Sequence, residues 1–379
     1  MSWLSFALGT WVLCNLQLIA AESELQLIHV VFRHGERTPS DTYPEDPYFN
    51  FTFEPVGWGQ LTNVGKLSQY QQGQYLRTRY GEFLGNIYTP GIIKVQTTDV
   101  DRTKMSAQLE LAGLWPPAPE QRWNPSLEWQ PIPYTFQPRS EDSLLLPASC
   151  PKYYHERDAV KASVEVQNIL VAHNATELYN LLAEKTGLNY TDPDDVQSLY
   201  STLKAEEDYN LTLPEWTHGI YPDRLIPLTV FSFVLNAYND ELQKLKGGLL
   251  LKKILSDTKA KVDSTLSPAD RKMYMYAGHD STVTNLLSAL KVWDPQIPKY
   301  GIMAMVELHF DKDENQHSVK VFLRNSTHHE PYLLTVPGCN SACPLDMLIT
   351  LTTSVTSQDW KKNCVVDDPN YLPPGEAPP

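Results

Sequence analysis

Leu25-Gln26-Leu27-Ile28-His29-Val30-Val31-Phe32-Arg33-His34-Gly35-Glu36-Arg37-Thr38-Pro39 changes character at a single point. Its first eight residues are short-run, apolar and rich in β-branched side chains, the make-up of a buried strand. The next seven hold two arginines, a histidine, a glycine and a proline. Open α/β sheets carry their ligands in crevices beyond the carboxyl ends of strands, which is where this cluster falls. Arg33 and Arg37 can each give paired hydrogen bonds to phosphate oxygens. Gly35 lets the backbone approach closely, and cationic neighbours keep the His34 imidazole neutral and able to act as a nucleophile.

Outward from this stretch the chain alternates. Segment 61–80 reads as a helix with Leu61, Val64, Leu67, Tyr70, Tyr75 and Leu76 roughly on one side, and 92–96 as a strand followed by a helix over 103–114. Strand 272–277 runs into Gly278-His279-Asp280, a second set of titratable groups at a strand's carboxyl end, and then a helix over 281–290. Strands 303–310 and 319–323 pair through the turn 311–315. Between the two halves, 151–222 is charged and helical in pattern, and a long helix over 224–245 follows it. Strand–helix alternation around a helical middle predicts an α/β sheet domain with a helical insertion.

With 42% hydrophobic and 20% charged residues, the 379-residue chain has the composition of a folded protein. Its formal net charge of -14 argues against a nucleic-acid partner, so phosphate chemistry must rest on a local cationic pocket. The 29 prolines gather in 116–138 and at the C-terminus, which suggests stiff surface connections. Residues 1–21 carry no charge, and an apolar run from Leu4 to Leu18 leads to Ala20-Ala21 before Glu22: a signal peptide, although no basic residue precedes the run. A retained membrane anchor is the alternative reading. No later stretch reaches the roughly 18 apolar residues a membrane span needs, so a secreted, extracellular protein without a membrane attachment is expected.

Sequons at Asn50, Asn174, Asn189, Asn210 and Asn325 suit the same compartment. With Cys14 in the leader, Cys150, Cys339, Cys343 and Cys364 remain, an even number that implies two disulfides with three connectivities open. Sequence proximity favours Cys339–Cys343, which leaves Cys150–Cys364. Their spacing matches no structural zinc pattern.

The heptapeptide Arg33-His34-Gly35-Glu36-Arg37-Thr38-Pro39 closely resembles the RHGxRxP signature of the histidine acid phosphatases, a branch of the histidine phosphatase superfamily. Gly59-Gln60-Leu61-Thr62, Thr98 to Thr103, Leu213-Pro214-Glu215-Trp216 and Gly278-His279-Asp280 resemble family segments in the same order. The likeness runs from about Leu25 to Cys364 and is strongest to insect secreted venom acid phosphatases, with prostatic and lysosomal enzymes also similar. It implies a phosphoglycerate-mutase-like sheet flanked by helices, with 22–150 and 223–379 as the catalytic core and 151–222 as a mostly helical cap. It also implies hydrolysis of phosphate monoesters, phosphoproteins included, with no cofactor and no metal. By that resemblance His34 forms a phosphohistidine, Asp280 protonates the leaving alcohol, and Arg33, Arg37, Arg102 and His279 hold the phosphoryl oxygens. Arg102 has no signal of its own in the residues. Because Asp280 must carry a proton, activity at acidic pH is expected.

There are departures. Prostatic-type relatives have a third disulfide with no counterpart here: Ser201 stands near one expected cysteine position and the segment around Gly301 covers the other. Lysosomal-type relatives have a membrane span that this sequence lacks. Mutase-type relatives lack the downstream Arg-x-Pro that Arg37 and Pro39 supply. A phytase-like specificity would need a basic pocket rim, and the cap, with Glu206, Glu207 and Asp208, gives no sign of one. A binding protein on an inactivated scaffold would have lost His34 or Asp280. Tyr48, Phe49, Phe51 and Trp58 suit either a homodimer interface or the pocket entrance.

Overall fold

Strand β1 (Glu24–Arg33) is buried continuously from Leu27 onward, as its unbroken apolar run requires. Among the described residues it is the first of eight: β2 (Ile93–Thr97), β3 (Thr135–Phe136), β4 (Met273–Gly278), β5 (Met303–Asp311), β6 (Gln316–Arg324), β7 (Tyr332–Leu334) and β8 (Cys343–Pro344) complete the sheet. The order is β3-β2-β4-β1-β5-β6-β7, with β8 paired to β6. β1, β2, β3 and β4 are mutually parallel, and β5 returns antiparallel to β1. This computed structural model describes residues 23–147, 150–356, 359–368 and 371–372. The leader expected over 1–21 lies outside them, and among the described residues no helix is long and apolar enough to cross a membrane.

Alternate residues of β1 feed two cores. Ile28, Val30 and Phe32 pack with Leu76, Leu111 and Trp115 of α1 (Asn63–Leu84), α2 (Asp101–Leu114) and its C-cap. Leu27 and Val31 face the opposite layer, described below. The reading of α1 as an amphipathic helix over Leu61 to Leu76 needs correction. Val64, Leu67 and Tyr70 are exposed, and the buried face is Gly65, Gln69, Gln72, Gly73, Leu76 and Tyr80. The cause is close approach: a Cβ on Gly73 would lie 2.1 Å from the Glu110 carbonyl oxygen, and one on Gly113 2.2 Å from that of Tyr70. Backbone-to-backbone packing of α1 on α2 takes glycine, not leucine.

The helical middle comprises α3 (Pro151–Lys161), α4 (Val164–Ala172), α5 (Ala175–Thr186) and α6 (Pro193–Asp208). Leu178, Leu182, Val196, Leu199 and Leu203 form a cluster apart from the sheet, joined by Tyr43, Leu225 and Leu228. The expected single helix over 224–245 is two, α7 (Ile226–Leu235) and α8 (Asp240–Lys246). Asn239 interrupts it by capping α8, its side chain accepting from the Leu242 N–H at 3.0 Å. α9 (Gly248–Val262), which the sequence pattern did not separate, follows at once and covers the second sheet face with α10 (Asp280–Ala289). There Leu27 and Val31 meet Ile254, Val283 and Leu286. The short edge strands β3, β7 and β8 also escaped the sequence reading.

The chain closes with α11 (Leu345–Leu351) and α12 (Trp360–Asn363). Cys150–Cys364 and Cys339–Cys343 are both bonded. The first ties the start of α3 to the end of α12, beside Tyr153, Leu242 and Leu245.

Candidate active site

Register brings the two titratable strand ends together. Arg33 of β1 pairs with Gly278 of β4, and the His34 N–H donates to the Gly278 carbonyl at 3.0 Å. β2 ends level with them, Thr97 opposite Ala277, so α2 starts at the same crevice and carries Arg102 in its first turn. From β1 the chain passes to β2 on one side, whereas from β4 it passes to β5 on the other. The crevice is thus the topological switch point of the parallel strands.

Gly35 fixes the loop for a reason the sequence did not show. A Cβ there would lie 2.6 Å from the Gly65 carbonyl oxygen, so the loop presses on the first turn of α1. Thr62 caps that helix, accepting from the Gly65 N–H, and its hydroxyl donates to Glu36 Oε1 at 2.6 Å.

The His34 ring is held at both nitrogens. Nδ1 lies 2.8 Å from the Gly35 carbonyl oxygen, which can only accept, so Nδ1 carries the proton. Nε2 then keeps its lone pair and accepts from Arg102 Nε at 3.0 Å. Burial, with Arg102, Arg33, His279 and Arg37 around it, holds the His34 pKa well below the ordinary imidazole value. The same causes hold His279 neutral, burial first and then Arg102, Arg33, Arg37 and Arg139. Arg102, desolvated beside Arg37, falls to about 9 and remains a cation in acid.

Arg33 pairs with Asp280, Nη2 to Oδ2 at 3.0 Å, bonds the Pro298 carbonyl, and lies over the Tyr300 ring with its carbon 4.4 Å from the centroid. Arg37 donates to the Thr38 carbonyl at 2.9 Å. His279 meets His34 edge-on at 5.5 Å between centroids. Its Nε2 is 3.0 Å from Thr98 Oγ1, and its Nδ1 is buried. Asp280 opens α10 and its carboxylate accepts from the Ser281 N–H at 2.7 Å.

All six residues predicted for the site therefore line one cavity, of about 290 Å³. Sequence reasoning missed several others. Thr98 stood in a quoted segment without a role, and Tyr300 had no signal. Two more cations, Arg139 and Lys246, also line the cavity. Neither belongs to the 151–222 segment, where Glu206 is buried and Glu207 and Asp208 pair with Lys204. Phe51 and Trp58 pack edge-on against Phe53, Tyr48 against Phe51, and Tyr209 completes the cluster. None of Tyr48, Phe51 and Trp58 lines the cavity itself.

A neutral histidine ringed by guanidinium groups thus stands at the switch point. Residues 24–324 match the histidine phosphatase superfamily, branch 2, and the chain belongs to that family. It is 39% identical over 351 residues to the venom acid phosphatase of Apis mellifera, with 92% of this chain and 89% of that one covered. It is 39% identical over 349 residues to the prostatic acid phosphatase of Homo sapiens, covering 90% and 88%. In fold it is similar to the Hafnia alvei phytase, with a TM-score of 0.67, 17% identity, and 92% and 99% of the two chains covered.

Proposed function

We propose that the chain is a secreted acid phosphatase that hydrolyses phosphate monoesters through a phosphohistidine at His34. The observation that carries this reading is the Nδ1 bond to Gly35, which leaves the Nε2 lone pair facing a ring of cations. Nε2 attacks phosphorus and the ester P–O bond breaks. The departing oxygen takes the proton from Asp280. Water then attacks the phosphorus, giving its proton to the Asp280 carboxylate, and the P–N bond breaks to release phosphate and His34.

Arg33, Arg37 and Arg102 neutralise the equatorial oxygens, where most of the stabilisation in phosphoryl transfer is needed. His279 donates to one of them from Nδ1, which is buried at the cavity. The guanidinium groups provide the positive charge a metal would otherwise bring. The need for a proton on Asp280 favours acidic pH.

Exposed sequons at Asn50, Asn174, Asn189 and Asn210 support the secreted part of the reading. Asn325 is half-buried, and its side chain accepts from Tyr332 at 3.1 Å. The test is hydrolysis of p-nitrophenyl phosphate at acidic pH with a chelator present. Wild-type activity should persist and His34→Ala should have none. Activity lost to the chelator, or retained by His34→Ala, would overturn the proposal.

A further inference from the structure

The cavity extends beyond the three clamp arginines to a wall built by α3, α6, α7 and α8. Arg139 enters it from the short turn Arg139–Glu141 and lies near enough to His279 to help hold that ring neutral. Lys246, the last residue of α8, lines it as well. Its Nζ donates to the Pro147 carbonyl at 3.0 Å and stands 4.0 Å from the centroid of the Tyr153 ring.

Among the described residues, no carboxylate forms an ion pair with Lys246. The charges beside it already cancel: Arg157 binds Asp192 and Asp194, and Lys161 binds Asp192. The other carboxylates of the cavity are engaged too. Asp41 accepts from Ser198 and Thr202, and Asp280 pairs with Arg33. Lys246 therefore brings into the wall a positive charge that its surroundings do not neutralise. Burying such a charge is costly unless an anion meets it. Burial pushes its pKa down to about 8, which leaves it charged in acid.

We infer that Arg139 and Lys246 form a second anion subsite, selecting phosphate monoesters whose leaving group carries a carboxylate or phosphate of its own. The inference rests on the phosphatase reading above. Ser40, Ser201 and Asn236 line the same cavity and keep hydrogen-bond donors that no described protein group accepts, which suits a hydroxylated carbon skeleton between the two anions. At about 290 Å³ the cavity admits a leaving group of small-molecule size.

Two matched pairs test the subsite: phenyl phosphate against 4-carboxyphenyl phosphate, and fructose 6-phosphate against fructose 1,6-bisphosphate. The first pair reads a carboxylate, the second a phosphate. The quantity is the ratio of kcat/KM within each pair, compared inside one protein so that partial misfolding cannot mimic the effect. The wild type should favour the doubly anionic member of at least one pair by about tenfold, ~1.4 kcal/mol. K246M and R139Q should each lower that ratio several-fold, R139Q/K246M should bring it near one, and K246R should keep it. A wild-type ratio near one in both pairs, or a ratio unchanged in R139Q/K246M, overturns the subsite. Failure of the wild type to release phosphate from any of the four compounds overturns the phosphatase reading and the subsite with it.

Discussion

Thr98→Val separates the role of His279 from that of the arginines around it. Thr98 is fully buried, with Oγ1 3.0 Å from His279 Nε2 and 2.9 Å from Thr103 Oγ1. Either hydroxyl of the Thr98–Thr103 pair can be the donor; with Thr103 donating, the Thr98 proton is free for Nε2. On the proposed reading the Thr98 hydroxyl donates to Nε2, and the His279 proton sits on Nδ1, the nitrogen assigned to phosphate. Valine fills nearly the same volume but leaves Nε2 buried and unpartnered. An unsatisfied buried group costs roughly 1–3 kcal/mol. If that appears in the transition state, kcat/KM falls by about 5- to 150-fold. Steady-state hydrolysis of p-nitrophenyl phosphate measures it, and the inhibition constant of inorganic phosphate should rise in parallel, because the same donor is lost to both. Thr98→Ser restores the hydroxyl and should recover most of the activity. A Thr98→Val enzyme within about twofold of wild type in both quantities would refute the role given to His279.

Two further outcomes concern stability. Glu206 is buried beside Asp46, and burial first, then that carboxylate, pushes its pKa up to about 9. The folded state therefore holds a proton that the unfolded chain gives up above its ordinary value. The stabilisation is complete below about pH 4.5 and is lost toward pH 9, by at most ~1.4 kcal/mol per pH unit. Melting temperature should fall between about pH 5 and pH 8, and Glu206→Gln should flatten that fall; an equal fall in both would contradict the assignment. His29, buried and depressed to about 3, acts in the opposite sense with His34 and His279: unfolding takes up protons on all three below about pH 6.5, so stability also declines in acid. Removing the Cys150–Cys364 bond by paired serine substitution frees a 214-residue separation and should lower stability by about 3–5 kcal/mol, read by denaturant melts, with the catalytic residues still in place.

What the sequence disclosed depended on whether an element buries an apolar face. β1 and β4 are covered on both sides, so their composition alone marks them, and the groups at their ends follow directly. α1 misled because its buried face is glycine and glutamine, set by how near α2 lies, and the apolar periodicity tracks its outer side. The α7–α8 break depends on one capping asparagine within an otherwise helical run. Arg102 was visible only by resemblance, since it reaches His34 through the register of β2 on β4. Arg139 and Lys246 stand 107 residues apart in the chain, and no spacing rule joins them; only the cavity does.

The central claim is that phosphorus is transferred to His34 Nε2. It is tested most directly by rapid mixing with a phosphate monoester, quenching in base to preserve an acid-labile phosphoramidate, and mapping the phosphorylated peptide by mass spectrometry. The account predicts a phosphate adduct on His34 in the wild type and none in His34→Ala. A wild type that turns over ester while carrying no adduct, or carrying it on another residue, would contradict it.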